Sequence, residues 1–168
     1  MKKQKICIIG GGLTGLITAI SLSKLNCEID LITDNFPKNL KSNRTIAISN
    51  NNLNLLIKLN IFKSFEKEIW PCSIMKLYSS NMNNEFSKIF EIDKENENKK
   101  IFYMIQSSKL MKSMINKIKK IQNINMIKKD KENSIHDFES LKKIKYNKKN
   151  LKYNLVILCT GHNSDLIN

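Results

Sequence analysis

The run Ile6-Cys7-Ile8-Ile9 leads straight into Gly10-Gly11-Gly12-Leu13-Thr14-Gly15, and a helical pattern follows. This order constrains the chain more than any other feature. Lys5 to Ile9 reads as a buried parallel strand. Leu13 to Leu25 is apolar around most of a cylinder, through Leu16, Ile17, Ala19, Ile20 and Leu22, as in a helix packed on a sheet. A second strand, Glu28 to Thr33, comes next. Strand, glycine turn, helix and strand in this order predict a unit that binds a dinucleotide pyrophosphate. Gly10 suits the tight turn, Gly12 lets the backbone approach the phosphates, and Gly15 lets the helix sit close to the strand. The helix then aims its unpaired N–H groups and positive dipole end at the anion. A glycine-rich turn without a ligand is the blander reading, and the flanking elements weigh against it.

A chain of 168 residues makes one domain, or the larger part of one. Its net charge is +14, yet the basic residues are almost all lysine, and Arg44 is the only arginine. Lysine, asparagine and isoleucine together point to an AT-biased genome. A nucleic-acid binder keeps arginine for bidentate contacts and interleaves aromatics, so no nucleic-acid partner is expected. A basic surface does suit an anionic membrane face. Cys7, Cys27, Cys72 and Cys159 have neither metal-ligand nor redox spacing, and no metal is expected. Cys7 and Cys159 read as small core residues of a protein in a reducing compartment. No stretch has the length of a membrane span. Met1-Lys2-Lys3 and the apolar residues after it imitate a signal peptide, but the glycines interrupt the apolar run.

Further along, Thr45 to Ser49 reads as a short extended segment. Ser49 or Asn50 then caps a helix with Leu53, Leu56 and Ile57 on its apolar face. A short helix over Phe62 to Ile69 is expected to stop at Trp70-Pro71. Ser73 to Ser80 and Phe86 to Ile92 form two strands around a polar turn, and Ile101 to Gln106 is another strand. Ser107 or Ser108 caps an amphipathic helix with the stripe Leu110, Met111, Met114, Ile115, Ile118 and Ile121. Ile124 to Ile127 fits a third parallel strand. Ser134 to Glu139, Leu141 to Tyr146 and Leu151 to Tyr153 suggest an antiparallel meander, turning at 147–150. The apolar strand Leu155 to Leu158 runs into Cys159-Thr160-Gly161, which would bring Gly161 to the same sheet edge as Gly10 to Gly15. His162, Ser164 and Asp165 are sequence neighbours, whereas a hydrolytic triad converges from separate rigid supports. His136 reads as a residue of an exposed strand.

Four segments resemble the FAD-dependent aromatic hydroxylases with the p-hydroxybenzoate hydroxylase fold, most closely the ubiquinone-biosynthesis hydroxylases. They are Ile9 to Leu16, Arg44 to Ser49 with Leu59-Asn60-Ile61-Phe62, Tyr103 to Leu110, and Leu155 to Ser164. The resemblance implies an α/β Rossmann-like FAD/NAD(P)-binding domain over 1–168, with a central parallel sheet, helices and a small antiparallel meander. It implies the N-terminal portion of a longer family pattern, with the substrate domain incomplete. It also implies a cofactor-binding set of Gly10, Gly11, Gly12, Leu13, Thr14, Gly15, Thr33, Asp34, Arg44, Gln106 and Gly161. Gly10, Gly12 and Gly15 would hold the FAD pyrophosphate, and Arg44 would lie against the cofactor. That the one arginine stands there fits a position where lysine does not serve.

Three departures accompany the likeness. The acid expected to close the second strand and bind the adenosine ribose is replaced by Thr33, with Asp34 one position later. A shift of one position moves a strand side chain to the other face. The family's Asp-Gly is Thr160-Gly161, and Ile167 stands where a basic residue is expected. The later Gly-Asp segment that holds the ribityl chain does not occur, so weak FAD binding, or none, is expected of this stretch by itself. The implied activity is hydroxylation of a small aromatic or prenylated ring, with NADH or NADPH as transient reductant and no catalytic acid or base assigned. The implied location is cytoplasmic, at the inner membrane face. Two alternatives stay open. One is another FAD-linked oxidoreductase sharing the module. The other is an inactive fragment or basic binding module, with Lys142, Lys143, Lys145, Lys148, Lys149 and Lys152 as its patch.

Overall fold

The computed structural model describes residues 3–33, 43–80, 86–94, 100–128, 134–138, 141–146 and 149–161. In chain order the elements begin with β1 (Gln4–Ile9), α1 (Leu13–Leu22), β2 (Cys27–Thr33), β3 (Thr45–Ile48) and α2 (Asn50–Lys58). After two short 3₁₀ turns come β4 (Trp70–Cys72), β5 (Ile74–Ser80), β6 (Phe86–Asp93), β7 (Phe102–Gln106) and α3 (Ser107–Ile118). The chain continues through β8 (Ile124–Lys128), β9 (Ser134–Phe138), β10 (Leu141–Tyr146), β11 (Lys149–Tyr153) and β12 (Leu155–Leu158). Two compact units form: Met1–Leu40 with Met111–Asn168, and Lys41–Leu110.

The first unit is built on a four-stranded parallel sheet ordered β12-β1-β2-β8. Parallel strands covered on both faces read as unbroken apolar runs, and Ile6 to Ile9 are all buried. The register sets Cys7 beside Asp30 and Val156, and Ile8 beside Leu31 and Ile157. Cys7, Ile9 and Ile32 share a buried cluster with Ile144 and Tyr153, so the meander β9–β11 covers that face. Ile6, Ile8, Ile29 and Leu31 point the other way. Helix α1 packs on β1 and β2 and buries Leu16, Ala19 and Ile20. The apolar run of β12 predicts a covered strand, but among the described residues β12 is a sheet edge, with Leu155 and Leu158 exposed. The meander's turn is tighter than expected: Lys149 and Asn150 already pair with Tyr146 and Lys145.

Among the described residues, a buried charge joins several strands of this unit. Asp30 is 2% exposed in the middle of β2. Its Oδ2 accepts from the Tyr153 hydroxyl at 2.7 Å and lies 3.2 Å from Lys5 Nζ. Its Oδ1 accepts from Asn125 Nδ2 at 3.0 Å. Residues from β1, β8 and β11 thus converge on one carboxylate, which satisfies it as a buried charge requires. Burial, then the hydrogen bond to Asp30, pushes the Tyr153 phenol above its ordinary range. Burial, then the Asp30 charge, pushes the Cys7 thiol up to about 12. Cys7 is therefore a core residue and not a nucleophile.

The second unit holds an antiparallel sheet ordered β3-β7-β4 and a hairpin of β5 and β6. Trp70-Pro71 does not end a helix; it opens β4. Among the described residues that strand pairs with β7 alone, and proline is tolerated where a strand has a free edge. The segment expected to be a helix from 62 to 69 resolves into 3₁₀ turns at Phe62–Ser64 and Glu66–Glu68, with Phe62 and Phe65 packed edge to face. Helix α3, whose residues from Met111 on belong to the first unit, starts with Ser107 and Ser108 already inside it, and buries Leu110, Met114, Ile115 and Ile118. Helix α2 buries Leu53 and Leu56 but leaves Ile57 exposed, so its apolar face is narrower than expected. Its cap is Ser49, whose side chain accepts from Asn52 N at 3.3 Å. Removing that acceptor in Ser49→Ala is expected to cost about 0.5–1 kcal/mol in urea denaturation.

Candidate functional site: the glycine turn at the carboxyl end of the sheet

The carboxyl ends of β1 and β12 meet at the glycine turn. Strand β1 passes through α1 to β2 on one side, while its other neighbour, β12, arrives from far along the chain. Open α/β sheets collect ligands outside the carboxyl ends at such a switch point. The turn is tied down on both sides. Gly10 N donates to Ile32 O at 2.8 Å, and Cys159 N donates to Ile9 O at 2.7 Å.

Each glycine answers to a different neighbour. Gly10 has φ +123, and a Cβ there would overlap the Cys159 carbonyl. A Cβ on Gly15 would overlap the Gly10 carbonyl oxygen, so α1 crosses the turn at backbone contact. A Cβ on Gly11 would run into the Thr33 side chain. Gly12 differs from all three: among the described residues, nothing lies within 4 Å of the place a Cβ would occupy. It is the N-cap of α1, it is exposed, and no side chain caps the helix there. The first turn carries no acid. The result is a helix N-terminus opening on empty space, which suits an anion. Leu13 and Thr14 form the first helical residues, Thr14 exposed and Leu13 half-buried.

Thr33 is 7% exposed and fills the space over Gly11. Its role in shaping the turn was not legible from the strand pattern, since the contact joins residues at the ends of two strands. Gly161 has φ +74 and open space beside it, at the end of β12. Cys159 lies between, and burial pushes its thiol up. Asp34, His162, Asn163, Ser164, Asp165 and Ile167 lie outside the described residues. Arg44 and Gln106 belong to the second unit, where the chain brings them together: Thr45 pairs with Gln106, and Ser107 N donates to Arg44 O at 2.8 Å. Arg44 is exposed and Gln106 half-buried. Lys142, Lys143, Lys145, Lys149 and Lys152 stand on β10 and β11, His136 stands on β9, and Lys148 lies outside the described residues.

A polar depression of about 590 Å³ lies at the amino ends of the strands, lined by residues including Ser23, Asn26, Glu28 and Asn123. It is the wrong end of the sheet for a nucleotide. Asn123 is already committed there, donating to Ser23 O and Cys27 O. Among the described residues no group of acids, histidines and cysteines could hold a metal ion. No described helix is long and apolar enough to cross a membrane.

Solved structures share this fold. p-Nitrophenol 4-monooxygenase PnpA from Pseudomonas putida DLL-E4 superposes with a TM-score of 0.69 at 17% identity, over 98% of this chain and 43% of that one. FqzB gives a TM-score of 0.76 at 15% identity, over 96% and 37%. CtdE, solved in complex with FAD, gives 0.67 at 12% identity, over 97% and 39%. The chain thus spans about two fifths of the length of these proteins. No curated protein matches it. Residues 4–168 match the pyridine nucleotide-disulphide oxidoreductase family. With that match over nearly its whole length, and a Rossmann-like FAD/NAD-binding fold, the chain belongs to the pyridine nucleotide-disulphide oxidoreductase family.

Proposed function

We propose that the chain is the FAD-binding portion of a flavoprotein monooxygenase that hydroxylates an aromatic ring, and that the ring is a precursor of ubiquinone. The observation that carries the cofactor reading is the open space at Gly12, in front of an α1 N-terminus that no side chain caps. The residues fit the group. The backbone from Gly11 to Thr14 would hold the pyrophosphate, with Gly10 and Gly15 shaping the turn. Gly161 would stand on the β12 side, and Arg44 and Gln106 would serve the flavin end. When bound, FAD supplies redox exchange with NADH or NADPH and activation of dioxygen.

The chain's own contribution is binding and orientation. Backbone amides and a helix dipole neutralise the diphosphate without a charged side chain in the first turn. None of the described side chains is assigned as an acid or base. The disulphide chemistry in the family's description finds little support in this chain. All four cysteines are free, and burial pushes the thiols of Cys7, Cys27 and Cys159 up, away from the reactive thiolate. An aromatic ring, free or prenylated, remains the proposed substrate. The +14 charge supports peripheral contact with an anionic membrane face.

Titration of the purified protein with FAD, followed by quenching of flavin fluorescence, tests the cofactor reading. Mass identification of any copurifying nucleotide accompanies it. Weak but saturable FAD uptake is expected. No uptake at millimolar FAD, with the protein folded, would overturn the reading.

A further inference from the structure

We infer that Asp30 is a register lock: its bond to Tyr153 selects one seating of β11 on the parallel sheet and, through β12, fixes where Cys159 meets the glycine turn. The inference stands on the packing of the first unit and needs no bound nucleotide.

Apolar packing alone does not settle that seating. Cys7, Ile9 and Ile32 lie on the covered face of the sheet, in one cluster with Ile144 and Tyr153, and Leu151 packs against it. Strand side chains repeat every two residues, so a slip of two keeps each one on its face. Such a slip of β11 brings a leucine to the place of Tyr153 in either direction, Leu151 or Leu155. Apolar burial has no direction, and a leucine is as welcome there as a ring. A carboxylate is selective. Asp30 is 2% exposed and stands beside Cys7 in the ladder, within the same apolar face. It needs a donor within reach. The Tyr153 hydroxyl donates to its Oδ2 at 2.7 Å, and no leucine replaces that bond. Lys5 and Asn125 do not discriminate, because they stand on β1 and β8, whose places beside β2 are set by their own ladders.

The lock reaches the glycine turn because Asn154 alone separates β11 from β12. Asn154 N donates to Lys5 O, and Lys5 N donates to Asn154 Oδ1, each at 2.8 Å. These bonds are exposed and exchange with water, which a buried carboxylate cannot do. Strand β12 then pairs with β1 from Leu155 beside Ile6 to Leu158 beside Ile9, and Cys159 N donates to Ile9 O. A slip of two would carry Cys159 about 7 Å along β1, away from that contact.

The double variant Asp30→Leu with Tyr153→Phe tests this beside Asp30→Asn, both in the full chain. The double variant removes carboxylate and phenol together, while Asn125 and the third-exposed Lys5 turn to water. Asp30→Asn keeps an acceptor for the phenol. Each is read without nucleotide by thermal melting and by ¹H–¹⁵N NMR. Replacing a buried charge by an apolar side chain leaves stability similar or higher, so the double variant is expected to melt no lower than a few degrees below the wild type. Its amide signals from β11, β12 and Cys159 are expected to split, with a second set of at least about a tenth of the intensity. Wild type and Asp30→Asn are expected to give one set. A double variant that is folded and gives a single set with wild-type shifts along β12 overturns the proposal. So does one that melts far lower or fails to fold, since the pair then supplies stability in place of register. Several sets in the wild type, or a split spectrum in Asp30→Asn, overturn it as well.

Discussion

Gly15→Ala is expected to unfold the nucleotide-binding unit. The added Cβ would overlap the carbonyl oxygen of Gly10, and Cys159 Cβ already stands 3.4 Å away. Both obstructing atoms are held by the fold: the carbonyl is backbone, and Cys159 is bonded to Ile9 O. No side-chain rotation relieves the overlap, so α1 must leave the sheet. Overpacking ordinarily costs about 1–3 kcal/mol, and a rigid backbone obstacle belongs above that range. A loss of about 4 kcal/mol or more consumes most of an ordinary domain's stability. Gly10→Ala is expected to be as severe, because overlap with the Cys159 carbonyl adds to a φ of +123. Gly161→Ala has a positive φ but open space, so about 1 kcal/mol is expected. Gly12→Ala meets no atom and is expected to leave stability nearly unchanged. Thermal melting followed by circular dichroism ranks the four. Equal effects at Gly12 and Gly15 would contradict the geometry described for the turn.

Asp30→Ala is the second large effect. It strands the Tyr153 hydroxyl in a fully buried site, removes the acceptor of Asn125 Nδ2, and leaves Lys5 without its partner. Lys5 is about a third exposed, so its share is screened and small. The stranded phenol and amide account for most of the loss, about 2–4 kcal/mol in urea denaturation. Tyr153→Phe removes one donor from the carboxylate and is expected to cost about 1–3 kcal/mol. The two sites touch, so the double variant is expected to lose less than the sum. Fully additive losses would show that the pair does not interact in solution.

The nucleotide-binding half was legible because its signals are local. A parallel strand covered on both faces must be an apolar run, and a backbone crossing at contact must be glycine. Four of the chain's five glycines stand at 10, 11, 12 and 15. Ser49 and the stripe of α3 were readable for the same reason, since caps and helical periods span a few residues. The rest depended on distant partners. Asp30 looks like a polar interruption in an apolar strand, and its phenol partner lies 123 residues away. Pro71 reads as a breaker until β7 shows that β4 is an edge. Lys149 and Asn150 have turn-like chemistry, yet strand pairing with Tyr146 and Lys145 overrides it.

The central claim is that the empty space beside Gly12 is the place where the diphosphate meets the backbone. Gly12→Val puts a branched side chain there, and its Cβ meets no atom of the described residues within 4 Å. FAD titration of wild type and Gly12→Val, with a melting curve of each, tests the claim most directly. The account predicts melting temperatures within a few degrees of one another and at least tenfold weaker FAD binding by the valine variant. A valine variant that melts normally and binds FAD as the wild type does would contradict it.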